Sequence, residues 1–332
     1  MKDRMRDIQS FKPLDMGRTL TALVLLLTVL VPSALAWFGQ EGENAADLPQ
    51  AESFLLVTYE NISAQGRLIG SDPKGTALTF QVTRHPARGK LIQEAPGSIR
   101  FTYTPYEDKT GKDSFTYVVR AEDGRTSPPV KVRIVIRKPK TQVTYADLTG
   151  HPAHRAALAL AERDIFVGEQ MGETWLFHPE VQVTREEFVT LAMAACGQPQ
   201  TGAETGFADE DRISVWARPY VGTALRTGAI RGRGVTQAGA VFVPDRPITG
   251  TEAAVLLDRL LGGADQPDRG VLPPKAAPAW AYQSVVNLER SGVVAAAGLT
   301  AERLNAPLDR GRAAELLLQA GHLLEQKGQS RS

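Results

Sequence analysis

Residues Phe177 to Ala192 read FHPEVQVTREEFVTLA, a proline-led loop that passes through Thr-Arg-Glu-Glu into an apolar run with helical spacing. Thr184 and Glu187 predict a capping box, in which the hydroxyl and the carboxylate satisfy the first free amides of a helix. Capping gives Arg185 no role.

The same pattern returns twice. Counting from Thr184, Thr249 and Asp309, the positions 4, 7, 8 and 11 further on are Phe188, Leu191, Ala192 and Ala195; Ala253, Leu256, Leu257 and Leu260; and Ala313, Leu316, Leu317 and Ala320. All are apolar, which is one helix face written three times. Thr249 with Glu252 predicts a second capping box, and Asp309 a third helix cap. Upstream of each capped helix, Arg155-Ala156, Trp216-Ala217 and Trp280-Ala281 open a further helical pattern that ends near Ile165, Ile230 and Val293. Each unit is helix, loop, capped helix, and units this small need a shared core.

The chain opens differently. Basic residues to Arg18, an apolar run at Thr19–Val31 and small residues at Ala34-Leu35-Ala36 predict a secretory signal peptide over residues 1–36, with no membrane span left after its cleavage. A spacer is read at 37–52. From residue 53 to 137 the period is two: Phe101 and Tyr103, Phe115, Tyr117 and Val119, and Val130, Val132, Ile134 and Ile136 alternate with polar neighbours. Turn signals such as Asp72-Pro73-Lys74-Gly75 and Asp123-Gly124 separate these strands, as in a β-sandwich. A short linker at 138–144 precedes the helical units.

Two family resemblances rest on these residues. LTFQVTRHPARGKL (78–91) followed by FTYTPYEDKTGKDSFTYVV (101–119) resembles bacterial cadherin-like, immunoglobulin-like modules. Some of these carry an acidic calcium segment where this chain has SDPKGTAL, which leaves only Asp72 and argues against calcium. The second resemblance is to the S-layer homology family in triplicate. Tyr145-Ala146-Asp147, Phe177-His178-Pro179 and Thr184-Arg185-Glu186-Glu187 carry it in copy one; Phe207-Ala208-Asp209, Trp216-Ala217, Phe242-Val243-Pro244 and Thr249-Gly250-Thr251-Glu252 in copy two; and Trp280-Ala281 and Asp309-Arg310-Gly311-Arg312 in copy three. It implies copies at 145–197, 207–262 and 276–321, a polar tail at 322–332, and an all-β sandwich followed by an all-α trimer of repeats.

That resemblance also implies a secreted cell-wall protein of the S-layer type, whose partner is an acidic, often pyruvylated, secondary cell-wall polysaccharide. The polysaccharide would lie in grooves between copies. Arg185, Trp216, Trp280 and Arg310 are the binding candidates, with Arg185 expected to project outward toward an anionic sugar substituent. Arg155 stands where Trp is usual, and Gly250 where Arg is usual.

Other function classes find little support. No phosphate loop, nucleophile elbow or metal-ligand spacing is present, so neither enzyme nor cofactor nor metal is expected. The lone Cys196 excludes an internal disulfide. Residues 51–140 hold 15 Lys and Arg against 9 Asp and Glu, and residues 141–332 hold 18 against 22, too little for nucleic acid. A second reading stays open, an adhesion or protein-interaction protein in which the β module binds the target, glycan or protein, and the degenerate repeats only pack; other surface proteins are further candidate partners.

Overall fold

The computed structural model describes residues 45–201, 204–268, 273 and 275–329. The expected signal peptide, the spacer up to residue 44 and the last three residues of the tail lie outside the described residues.

Residues 50–137 form β1 (Gln50–Ala51), β2 (Leu55–Tyr59), β3 (Ala64–Arg67), β4 (Gly70–Ser71), β5 (Leu78–Arg84), β6 (Gly89–Gln93), β7 (Arg100–Pro105), β8 (Gly111–Ala121) and β9 (Val130–Arg137). One sheet has the order β2-β9-β8-β5, with β2 parallel to β9 and the other pairs antiparallel; the second is β3-β7-β6. Their inward faces meet in one core, where Phe101, Tyr103, Phe115 and Tyr117 are buried and Phe101 sits edge-on to Phe115 at 5.3 Å. Removing such rings from water contributes about 2 to 3 kcal/mol each. Gly89 is required by this packing, since a Cβ there would lie 2.5 Å from the Tyr103 ring and 2.6 Å from the Thr104 carbonyl.

The module begins earlier than the reading of 37–52 as spacer allows. β1 pairs with β4, and the Tyr117 hydroxyl sits 2.7 Å from the Glu52 and Ile69 carbonyls. Arg125 is buried, contacts the Asp47 carbonyl and grips Asp72 with two hydrogen bonds of 2.8 and 3.0 Å. Two residues are too short a strand to show any period in sequence.

The helical body contains α1 (His154–Ala161), α2 (Arg185–Ala195), α3 (Arg218–Arg226), α4 (Gly250–Leu261), α5 (Ala279–Arg290), α6 (Val293–Ala296) and α7 (Arg310–Gln329). The capped helices α2, α4 and α7 touch one another at the centre. Each also packs against the opening helix of the next copy: α2 on α3, α4 on α5, and α7 back on α1. Of the repeated apolar positions, Leu191 and Leu260 are partly buried and the others fully.

Backbone hydrogen bonds close the arrangement just before the caps. Val183 donates to Leu308 at 2.9 Å, Leu308 to Ile248 at 2.8 Å, and Ile248 to Val183 at 3.0 Å, a ring of three that passes through every copy.

Two expectations are corrected. The body is not all-α, because copies one and two carry hairpins, β10 (Glu169–Met171) with β11 (Thr174–Leu176) and β12 (Gly234–Thr236) with β13 (Gly239–Val241). In the first, Gly172 takes a φ of 64° and so permits a two-residue turn. The stretch read as a polar tail at 322–332 instead continues α7 to Gln329: Leu323 and Leu324 pack on the core, and Lys327 donates to the Leu261 carbonyl at the end of α4.

The sandwich also contacts the helical body. Tyr59, Ile62 and Leu158 form an apolar cluster, the Tyr59 hydroxyl donates to Glu162 at 2.9 Å, and Arg67 pairs with Glu289 at 3.0 Å.

Candidate functional site

The site is built from the loops that precede the capped helices. Asp147 accepts the backbone N–H of Phe177 at 3.0 Å and of His178 at 2.7 Å; Asp209 accepts those of Phe242 and Val243, each at 2.8 Å. Burial works against the Asp147 charge, but the donated N–H groups outweigh it and hold the carboxyl below its usual range. These bonds stabilise a strained turn. His178 and Val243 have φ of 56° and 60°, although each precedes a proline and Val243 is β-branched.

The helix starts follow. Thr184 accepts from the Glu187 amide at 3.3 Å while Glu187 accepts from the Thr184 amide at 2.8 Å. Thr249 and Glu252 form the same box. Asp309 accepts from the Arg312 amide at 2.8 Å.

Arg185 does not project outward. It is 8% exposed, and its guanidinium reaches into copy two, donating to the Phe242 and Arg231 carbonyls at 3.1 Å each and lying 4.9 Å from the Phe242 ring centroid. Arg310 does the same in copy one. It donates to the Phe177 carbonyl at 2.7 Å and lies over the Phe166 and Phe177 rings at 4.4 and 5.1 Å. The helix-start Arg is therefore a latch onto the Phe of a neighbouring copy.

Gly250 fits this rule by exception. The Glu186 amide donates to Pro244, that of Gly311 to Pro179 and that of Thr251 to Leu304, so Leu304 takes the proline's place and Glu302 that of the Phe. Copy three offers no ring to a latch from copy two. Its backbone also comes so close that a Cβ on Gly250 would lie 3.0 Å from the Leu304 carbonyl.

Beside the Arg185 latch lies a cavity of about 510 Å³. Its polar wall is Arg185, Arg231, Arg233, Arg259 and Glu252; Ile230, Ile248, Val255 and Leu256 supply apolar surface, and Trp280 of copy three, 62% exposed, closes one side. Glu252 is already engaged by Arg233 and by Arg246, the latter at 2.5 Å. Burial, then Arg233 and Arg246, push the Arg185 guanidinium down to about 10; burial, then Arg231, lower that of Arg259. An excess of mutually repelling cations in a partly desolvated groove favours an anion.

The groove brings together Arg185 and Trp280 and leaves out Trp216 and Arg310. Trp216 is 52% exposed and does not line the groove, and Arg310, its guanidinium lowered by burial, has Glu187, Asp147 and Glu169 among the charges around it. Arg155, in the usual Trp position, is buried and paired with Glu315 at 2.9 Å. Arg231, Arg233 and Arg259 escaped the sequence reading. Aligning the hairpins and caps puts Phe166, Gly168 and Ala194 at their places in copy one, so the signal lay in the copy-specific Arg-Gly-Arg-Gly run at 231–234.

Among the described residues, no group of three or more His, Cys, Asp or Glu is placed to hold a metal ion. Burial pushes the Cys196 thiol up to about 11, away from reactivity. No described helix is long and apolar enough to cross a membrane.

Family comparisons reach the β module and the first helical copy. The bacterial Ig domain family matches residues 45–134, and the S-layer homology domain family matches residues 144–189. Both kinds of module are typical of non-enzymatic surface proteins. The Surface-layer 125 kDa protein of Lysinibacillus sphaericus is 31% identical over 113 residues, which is 33% of this chain and 9% of that protein. The chain thus spans about a tenth of that relative. Among solved structures, the fibronectin(III)-like modules of Clostridium thermocellum CbhA share 20% identity over 27% of this chain and 98% of theirs, with a TM-score of 0.18. The D00-D0 domain of intimin shares 15% over 29% of this chain and 50% of its own, with a TM-score of 0.22. Likenesses this distant carry no functional weight.

Proposed function

Since this is a cell-surface chain in which a bacterial Ig domain is followed by an S-layer homology domain, we propose that its three helical copies are all S-layer homology repeats. Together they hold the protein non-covalently on the envelope by binding an acidic secondary cell-wall polysaccharide, with pyruvylated sugars as one suitable class. The β module is a spacer or display element, and the chain is not an enzyme. The observation that carries this reading is the groove at Arg185, Arg231, Arg233, Arg259 and Trp280, where four arginines face one engaged glutamate beside an exposed indole. Guanidinium groups suit carboxylates through two parallel hydrogen bonds, and an indole face suits the apolar side of a sugar ring.

The other two interfaces differ. One has Arg310 engaged by the Phe177 carbonyl and the Phe166 and Phe177 rings, without the added arginines of copy two, and the other has Gly250 and a buried, paired Arg155. Wall binding is accordingly assigned to the copy-two groove alone. The test is co-sedimentation of the chain with purified walls. Arg231→Ala should weaken binding by roughly 1.5 to 3 kcal/mol, the range for a charge-assisted contact, Trp280→Ala should weaken it through loss of the stacking face, and stripping the secondary polysaccharide should abolish it. Undiminished sedimentation of both folded variants would overturn the assignment.

A further inference from the structure

The outer face of the β2-β9-β8-β5 sheet takes no part in the groove. Alternation determines which residues lie on it. Val132, Ile134 and Ile136 of β9 and Phe115, Tyr117 and Val119 of β8 point into the core, so Lys131, Arg133 and Arg137, and Lys112 and Arg120, point out. On β5 the outward residues are Thr79, Gln81 and Thr83, and Arg84 follows a bulge.

The register groups the cations. Lys131 lies across from Thr116, which faces Arg84 on its other side. Arg133 lies across from Ser114, and Lys112 is two residues along from Ser114. Lys131 and Arg133 are roughly 6.5 Å apart along β9. Arg84, Lys112, Arg120, Lys131 and Arg133 are all exposed, and among the described residues none is in an ion pair. No outward position on the four strands holds Asp or Glu.

Protection of open strand edges does not explain these charges. The edges of this sheet are β2 and β5, whereas Lys112, Arg120, Lys131 and Arg133 stand on the central strands β8 and β9. None of these cations stands directly opposite another, but Lys112 and Arg133 are diagonal neighbours and Lys131 and Arg133 share a strand face, so like charges gather there without a counter-charge. A polyanionic partner would supply it.

The remaining side chains narrow the partner. Thr79, Gln81, Thr83, Ser114 and Thr116 interleave with the cations and offer hydrogen bonds to sugar hydroxyls. No aromatic is exposed there for stacking on bases, because the outward Tyr59 is buried against Leu158, and Leu55 on the edge strand β2 is the outward residue with a large exposed apolar side chain, a single contact where lipid insertion needs a broad apolar face. We propose that this face is a second glycan-binding surface, taking a linear polysaccharide with regularly spaced carboxylates. It stands independently of the copy-two groove.

The test uses the full chain carrying Arg231→Glu and Trp280→Ala, so that the groove is disabled, with polygalacturonate as the probe. Inorganic polyphosphate and phosphatidylglycerol vesicles serve as the other arms. At about 50 mM salt, where screening is modest, this chain should bind polygalacturonate, and adding Lys131→Glu and Arg133→Glu should weaken binding by about tenfold or more. The melting temperature should not fall, since both positions are exposed, and raising the salt should weaken the parent more than the reversed variant. Equal binding by the folded charge-reversed chain would overturn the proposal, as would loss of all binding once the groove is disabled. Binding to vesicles or polyphosphate without binding to polygalacturonate would overturn the choice of partner.

Discussion

At Arg185 a single side chain changes meaning between sequence and structure. Its neighbours Thr184 and Glu187 were legible because a capping box closes within one helical turn. The acceptors of Arg185 lie 46 and 57 residues away in another copy, and no local pattern points to them. Arg185→Ala should therefore destabilise the helical body by roughly 1.5 to 3 kcal/mol, read as a lower midpoint in denaturant, with Arg185→Lys recovering only part because an ammonium lacks the planar fork. Unchanged stability would return Arg185 to the role of a free surface charge. Val243 tests the turn that presents Phe242. A β-branched residue at φ 60° carries strain of about 1 to 2 kcal/mol, whereas Asn tolerates that region. Val243→Asn should raise the melting temperature, and a fall would mean that the valine's packing outweighs its strain.

At the scale of elements, periodicity was most informative where elements were long. The capped helices were legible from their repeated apolar face, and the sandwich from strands such as β8 and β9. The hairpins at 169–176 and 234–241 were not, since three-residue strands are too short for alternation to register. The end of α7 was misread for another reason: its last turns are polar outside, and Leu323, Leu324 and the long-range bond of Lys327 to the Leu261 carbonyl, which tie them to the body, give no repeated apolar face. In the β module, Arg125 draws the Asp72 carboxyl well below the usual range, against the cost of burial, and Thr76 assists. A carboxyl lowered on folding contributes stability above its unfolded pKa of about 4 and loses that contribution as pH falls through the folded value. Asp72→Asn should thus lower the melting temperature at pH 7, and its difference from the parent should shrink as the pH falls from about 5 toward 2. A difference that does not vary with pH would rule out this ion pair as the cause.

For the molecule as a whole, the apolar contact of Tyr59 and Ile62 with Leu158, with the Glu162 and Glu289 bonds beside it, couples the sandwich to the helical body. Calorimetry should show one unfolding transition for the parent chain, and Tyr59→Ala should split it in two. Two transitions in the parent would mean that the contact is too weak to link them. The ring formed by Val183, Leu308 and Ile248 has a different consequence. An open stack of repeats can lengthen or shorten by one unit, because each new unit meets only the end of the row. Here the third unit returns to the first, and neither the hydrogen bonds nor the α7–α1 contact leaves a free end at which another could join. Removing a unit would expose two interfaces and inserting one would break a bond, so closure ties the number of copies together while single residues differ among them, as at Gly250 and Arg155.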